Sequence, residues 1–164
     1  MNIVFNCDKR DAMVIVDKSI VENLTDEQAY SLDILLDKKG ESELVFDFPG
    51  EDWNIVWERE TRDLRNFINS GAMIVNCLDE TDGLYSFNVV EEEIDACSCL
   101  EVKSGEVIIV SASELIQVVL YPELKMEKSG EMNLEAGWYE VKKEGNGFSF
   151  HKAANKRQDV NNII

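Results

Sequence analysis

A chain of 164 residues with 33 Asp and Glu against 16 Lys and Arg carries a formal charge of −17 at neutral pH. That charge excludes a broad nucleic-acid-binding or anionic-membrane surface, because both polyanions would be repelled. Hydrophobic residues make up 45% of the sequence, enough for a core, so global disorder is excluded too and the length suits one domain.

The first eight residues hold no basic segment and no long apolar run, so no signal peptide is expected. No stretch approaches the roughly 18 apolar residues of a membrane span. The longest candidates, 107–110 and 115–121, are strand-sized. A soluble, cytoplasmic protein is the expectation.

Residues 3–5 and 12–16 are apolar runs around a polar segment and predict a β-hairpin. Thr25 followed three residues later by Gln28 is a capping-box pattern, and Asp26 and Glu27 suit the positive end of a helix dipole. Ala29, Leu32, Leu35 and Leu36 then recur at helical spacing, with Leu24 placed as a staple on Ala29. Lys38, Lys39 and Gly40 make a suitable stop. Residues 44–48 alternate, Pro49-Gly50 marks a turn, and 53–57 completes a second predicted hairpin. Leu64, Phe67 and Ile68 share a helical stripe with Arg62 and Arg65 off it, predicting a short helix that ends near Gly71.

Residues 72–78 and 84–90 flank the turn dipeptide Asp82-Gly83 and predict a third hairpin. Strands are expected over 94–102 and 106–110, separated by a turn at Lys103-Ser104-Gly105. Residues 115–121 read as a strand or the end of a short helix. The β-branched pair Val118-Val119 favours the strand, and Pro122 ends either. Residues 138–142 and 147–150 flank Gly145-Asn146 as a final hairpin, and Trp138-Tyr139 places one ring on each face. The expected fold class is α+β: a single β-rich domain over 1–154, mostly antiparallel, with about two helices. Residues 155–164 read as a polar, loose C-terminal tail. Basic residues concentrate late: 1–140 hold 31 acidic and 11 basic residues, 141–164 two acidic and five basic.

Catalytic signatures are missing from the sequence. His151 is the single histidine, which excludes a His-rich metal centre, and its place at a strand end near the tail reads as a surface or edge position. No Ser sits in a nucleophile elbow and no Gly-rich phosphate loop occurs. Neither enzymatic activity nor a cofactor or metal is expected. The four cysteines, Cys7, Cys77, Cys97 and Cys99, are too few and scattered for a disulfide scaffold. In an extended strand Cys97 and Cys99 would share a face and supply half of a soft-metal site. Free thiols in β structure are the simpler reading.

Acidic residues carry more information as a distribution. From Asn66 to Val102 no basic residue occurs, while Asp79, Glu80, Asp82, Glu91, Glu92, Glu93, Asp95 and Glu101 do. Asp79, Glu80 and Asp82 lack the ligand pattern of a calcium loop and read as a solvated turn. Adjacent positions in 91–95 face opposite sides, so these acids read as surface, not as a metal centre. If the strands of this interval form one sheet, its exposed side is strongly negative. Trp53 and Trp57 would share a strand face among acids, a setting that suits interface anchors, and Tyr85 stands as a further candidate. The expected protein-binding surface therefore comprises Trp53, Trp57, Asp79, Glu80, Asp82, Tyr85, Glu91, Glu92, Glu93 and Asp95. The partner it calls for is a basic protein, with no nucleic acid and no membrane. An immunity or inhibitor protein against a basic toxin or nuclease fits these features. The alternatives are a structural or regulatory interaction domain, or a carboxylate-based metal-dependent hydrolase, which would need converging acids and a raised pKa.

Overall fold

A computed structural model describes residues 1–6, 11–37, 61–77 and 83–164. The expected hairpin over 44–57, the helix stop at 38–40, Cys7, and the turn acids Asp79, Glu80 and Asp82 lie outside the described residues. In chain order the strands are β1 (Asn2–Phe5), β2 (Ala12–Asp17), β3 (Met73–Cys77), β4 (Gly83–Val90), β5 (Ser98–Val102), β6 (Glu106–Ser111), β7 (Gly130–Asn133), β8 (Gly137–Glu144) and β9 (Gly147–Ala153). The helical segments are α1 (Lys18–Asn23), α2 (Asp26–Asp37), α3 (61–67 with a closing π turn, Ile68–Ala72) and α4 (Ala112–Leu120). This is a β-rich α+β architecture; among the described residues six of seven strand pairings are antiparallel and only β4–β9 is parallel.

Three layers result. An outer five-stranded sheet runs β1-β4-β9-β8-β5, and a second, four-stranded sheet runs β3-β2-β6-β7. Met13, Ile15, Ile74, Val107 and Ile109 of the second sheet meet Phe5, Tyr85, Phe87, Tyr139, Phe148 and Phe150 of the outer one. Phe87 and Phe148 stack with centroids 5.1 Å apart. On its opposite face the second sheet presents Val14, Val16, Val75, Ile108 and Val110 to Leu32, Leu35, Leu64, Ile68 and Leu115 of the helices. It is therefore the middle layer, and β2 is buried at all six positions. A continuous apolar run is what a strand covered on both faces requires.

Residues 3–5 and 12–16 do not form the expected hairpin, because β1 joins the outer sheet and β2 the middle one. The same separation undoes the hairpin expected between 72–78 and 84–90: β3 pairs with β2, and β4 with β1 and β9. Sequence neighbours here are split between layers, so each strand finds its partner far along the chain. The final hairpin does form, with β8 and β9 in register from Trp138–Ala153 to Glu144–Gly147.

Local chemistry sets the helix ends. The Thr25 and Gln28 side chains exchange bonds with each other's backbone N–H at 3.1 and 3.0 Å, closing the capping box of α2. α3 ends at Gly71, whose φ of 95° suits glycine and where a Cβ would collide with the Trp138 ring. The segment 115–121 is mostly helix and not strand. Ser111 caps α4 by accepting from Glu114 N–H at 3.2 Å, and buried Asp11 accepts from Ser113 N–H at 3.0 Å. Those caps and the burial of Leu115 outweigh the weak strand preference of Val118-Val119.

α1 was not anticipated, and its N-cap, Asp17, ties it to a distant turn. One Asp17 oxygen accepts from Ser19 N–H and O–H at 2.9 and 2.5 Å. The other accepts from Lys103 N–H, Ser104 N–H and Ser104 O–H at 2.9, 3.0 and 3.0 Å. Burial pushes this carboxyl's pKa up, but the bonds from Ser19, Ser104 and Lys103 together outweigh burial and hold it below the ordinary value.

The end of the polar segment, residues 161–164, is packed against the body. Val75 N–H donates to Asn162 carbonyl oxygen at 2.8 Å and Ile164 N–H to Val75 carbonyl at 2.9 Å, extending the middle sheet beside β3 in parallel. Asn162 is fully buried. Its amide nitrogen faces the carbonyls of Ile68, Met73 and Cys99 at 3.0, 2.9 and 2.7 Å, and its amide oxygen accepts from Cys99 N–H at 3.0 Å. One side chain thus joins α3, the middle sheet and the outer sheet. Polar composition concealed this, because a buried amide with every group bonded is compatible with a packed segment.

Candidate functional site

Residues 91–97 connect β4 to β5 and carry the acid run. Ile94 is half-buried and Ala96 buried, while Glu91, Glu92, Glu93 and Asp95 are exposed. Two apolar side chains therefore pin the connection to the body and direct the carboxylates outward. Among the described residues none of Glu91, Glu92 and Glu93 forms an ion pair.

This connection runs between two open clefts. The first, about 540 Å³, lies at one end of the sheet stack and includes Val89, Glu91, Glu135, Tyr139, His151 and Lys152 in its lining. Val89 is 57% exposed at its wall. The remaining charges of this cleft are matched: Lys152 Nζ lies 2.5 Å from Glu135. The bond raises the lysine pKa and lowers that of the glutamate. Tyr139 donates its hydroxyl proton to Glu135 carbonyl oxygen at 2.9 Å, and burial pushes its pKa up. His151 Nδ1 sits 3.4 Å from Val90 carbonyl oxygen. Glu91 is thus the one lining charge without an ion-pair partner among the described residues.

The second cleft, about 450 Å³, is lined by Asp95, Cys97, Lys142, Lys143, Arg157 and Ile164, among others. Lys142 binds Glu144 at 2.6 Å, and Arg157 lies 3.7 Å from Glu140. The base-free interval of the sequence is therefore compensated in space at its Asp95 end, by cations from β8 and residue 157. It stays uncompensated at 91–93.

The expected negative sheet face is also corrected. Because β3 and β4 lie in different sheets, the interval does not form one surface. Ile3, Phe5, Tyr85, Phe87, Phe148 and Phe150 face the core, so the alternate positions face outward. On β1, β4 and β9 these include Asn2, Val4, Leu84, Ser86, Asn88, Ser149 and His151, without one Asp, Glu, Lys or Arg, while β8 and β5 add Glu140, Lys142, Glu144 and Glu101. Of the interval's described acids, Glu91, Glu92, Glu93 and Asp95 sit exposed in the β4–β5 connection, whereas Glu101 lies in β5 and pairs with Lys103 at 3.3 Å.

Of the residues singled out from sequence, Glu91, Glu92, Glu93 and Asp95 come together. Tyr85 does not join them: it is 2% exposed and packs edge-on to Phe5 with centroids 6.2 Å apart. Alternation along β4 dictates this, since Tyr85 and Phe87 share the inward face. Trp53, Trp57, Asp79, Glu80 and Asp82 lie outside the described residues. Val89 was missed; as a strand valine it carries no sequence signal of exposure.

Cys97 and Cys99 do not share a face. Cys97 precedes β5 and is exposed, whereas Cys99 is buried and its thiol pKa is pushed up by burial. No group of three or more His, Cys, Asp or Glu residues that could hold a metal occurs among the described residues. No helix among them is long and apolar enough to cross a membrane. No protein-family model, curated protein or solved structure matches the chain.

Proposed function

We propose that this chain is an acidic protein-binding module, an immunity or inhibitor protein that neutralises a basic toxin or nuclease in the cytoplasm by occluding its active site or an exosite. The observation that carries the reading is the 91–93 run: three exposed carboxylates without ion pairs among the described residues, beside exposed Val89 at a cleft wall. Unpaired carboxylates in one place sum their fields and steer a cationic partner, raising association rates by about 10- to 1,000-fold. Val89 and the adjoining cleft supply apolar surface that the partner desolvates on docking. Carboxylates so placed imitate the phosphates a nuclease binds.

The hydrolase alternative calls for a carboxyl held protonated in a cleft. The described carboxyl with a raised pKa is Asp33, pushed up by burial and by Asp37. It lies on α2, away from both clefts. The interaction domain with a non-nuclease partner uses the same surface and differs only in its effect.

Co-purification from the native host, followed by kinetics on the captured partner, tests the reading. Glu91→Gln/Glu92→Gln/Glu93→Gln is expected to slow association about tenfold at low salt, with the difference vanishing near ~1 M salt. An unchanged low-salt rate overturns the role of this run. A captured partner whose activity persists in the complex favours the interaction-domain alternative.

A further inference from the structure

Charge on the outward face of the outer sheet is confined to β8 and β5, where Glu140, Lys142, Glu144 and Glu101 stand; the β1 side of that face and its border strand have no part in the acidic surface. Across β1, β4 and β9 the outward positions are Asn2, Val4, Leu84, Ser86, Asn88, Val90, Gly147, Ser149, His151 and Ala153, all without formal charge, in a chain of which 30% is charged. Among the described residues β1 is the border strand of the outer sheet. Val4 and Leu84 face each other across the β1–β4 ladder and are 65% and 62% exposed. Border strands are commonly guarded by a lysine, a proline or a bulge. The Asn2–Phe5 sequence, NIVF, has neither charge nor proline.

The hydrogen-bond phase shows which backbone groups are free. Met1 nitrogen donates to Phe87 carbonyl oxygen and Phe87 N–H to Met1 carbonyl oxygen, both at 2.8 Å. Met1 and Phe87 are therefore a bonded pair, and antiparallel alternation makes Ile3–Tyr85 and Phe5–Gly83 the next ones. The N–H and C=O groups of Asn2 and Val4 then point away from β4, toward solvent.

We propose that this border is a self-association surface, on which β1 of one copy pairs antiparallel with β1 of a second about a two-fold axis at Ile3. Under that axis Asn2 of each copy lies opposite Val4 of the other. The four outward N–H groups meet the four outward carbonyls in four hydrogen bonds, and the two outer sheets become one. Val4 and Leu84 of both copies form a continuous apolar strip across the seam. Charge selects a second copy over a basic protein as the occupant. A cationic partner gains nothing from the uncharged β1 side of the sheet, whereas two chains of charge −17 repel least when they meet there, with the charged residues of β8 and β5 at the far side.

Sedimentation equilibrium of the whole chain, up to about 1 mM, tests the proposal. The expected result is a monomer–dimer equilibrium that strengthens between about 0.05 and about 1 M salt, as like-charge repulsion is screened. Val4→Pro removes an outward N–H while leaving the bonds to β4 untouched, and is expected to weaken the dimer at least about tenfold with circular dichroism unchanged. Val4→Lys places two like charges at the seam and provides the same readout if the proline variant fails to fold. Val4→Ile retains the dimer. A monomer at every concentration overturns the proposal, as does a dimer indifferent to both disruptive variants. Capture of a foreign strand by a chain that stays monomeric overturns it as well.

Discussion

The two cores on either side of the middle sheet are built from different side chains. Between the sheets, the buried cluster includes six aromatic rings, Phe5, Tyr85, Phe87, Tyr139, Phe148 and Phe150. Beneath the helices, the buried cluster of the described residues holds only aliphatic side chains and Met73, with Phe67 at its margin. Stacked sheets hold their backbones about 10 Å apart, and large rings fill that gap. Helices carry leucines toward the sheet on their own curved surface, so smaller side chains suffice. The sheet–sheet core therefore depends on side-chain volume, whereas the helical layer depends also on the polar groups that start its helices.

Substitutions that break each core in its own way test this contrast. The largest effect is expected for Phe148→Ala, which removes a fully buried ring stacked on Phe87 and should cost about 3–5 kcal/mol in denaturant unfolding. A loss below about 1 kcal/mol would mean that the sheets collapse to fill the space. Asp17→Asn should cost about 2–3 kcal/mol, because an amide NH2 then faces donors from Ser19 or from Lys103 and Ser104. The Asp17 pKa is lowered in the folded chain, so its contribution is complete above the unfolded value of about 3.9 and is lost as pH falls through the folded one. The gap between wild type and Asp17→Asn should narrow accordingly in acid. A constant gap from about pH 6 to about pH 2 would show that charge is irrelevant there. The smallest effect, about 1 kcal/mol, is expected for Thr25→Ala, confined to fraying of α2 in hydrogen exchange.

Features determined within a few residues were legible in the sequence. The Thr25–Gln28 box and the Gly145-Asn146 hairpin each rest on short-range chemistry, and both are present. Partnerships between layers were not legible. Residues 3–5 and 12–16 look alike as apolar runs, yet β1 is exposed at alternate positions and β2 at none. That difference follows from what covers each strand, which the local sequence does not encode. For 115–121 the sequence leaves strand and helix end both open and Val118-Val119 favours the strand, whereas the Ser111 cap three residues before Glu114 starts a helix at 112. In the candidate site, the exposure of 91–93 was readable from its acids. The cations beside Asp95 were not, since Lys142, Lys143 and Arg157 come from far along the chain.

Asn162 has a kinetic consequence. Its partners belong to α3, β3 and β5, and it follows all of them in the chain. The outer sheet is assembled from equally distant pieces, with Asn2 opposite Ser86 and Phe87 opposite Phe148. Pairings of such long sequence separation close late and slowly, on the millisecond-to-second scale. During synthesis β1 waits for β4, β4 waits for β9, and the carbonyls of Ile68, Met73 and Cys99 wait for Asn162. Until that amide arrives, the interior of a growing chain retains unbonded polar groups and aromatic surface open to other molecules. Dependence on chaperones should therefore be greatest before Asn162 emerges.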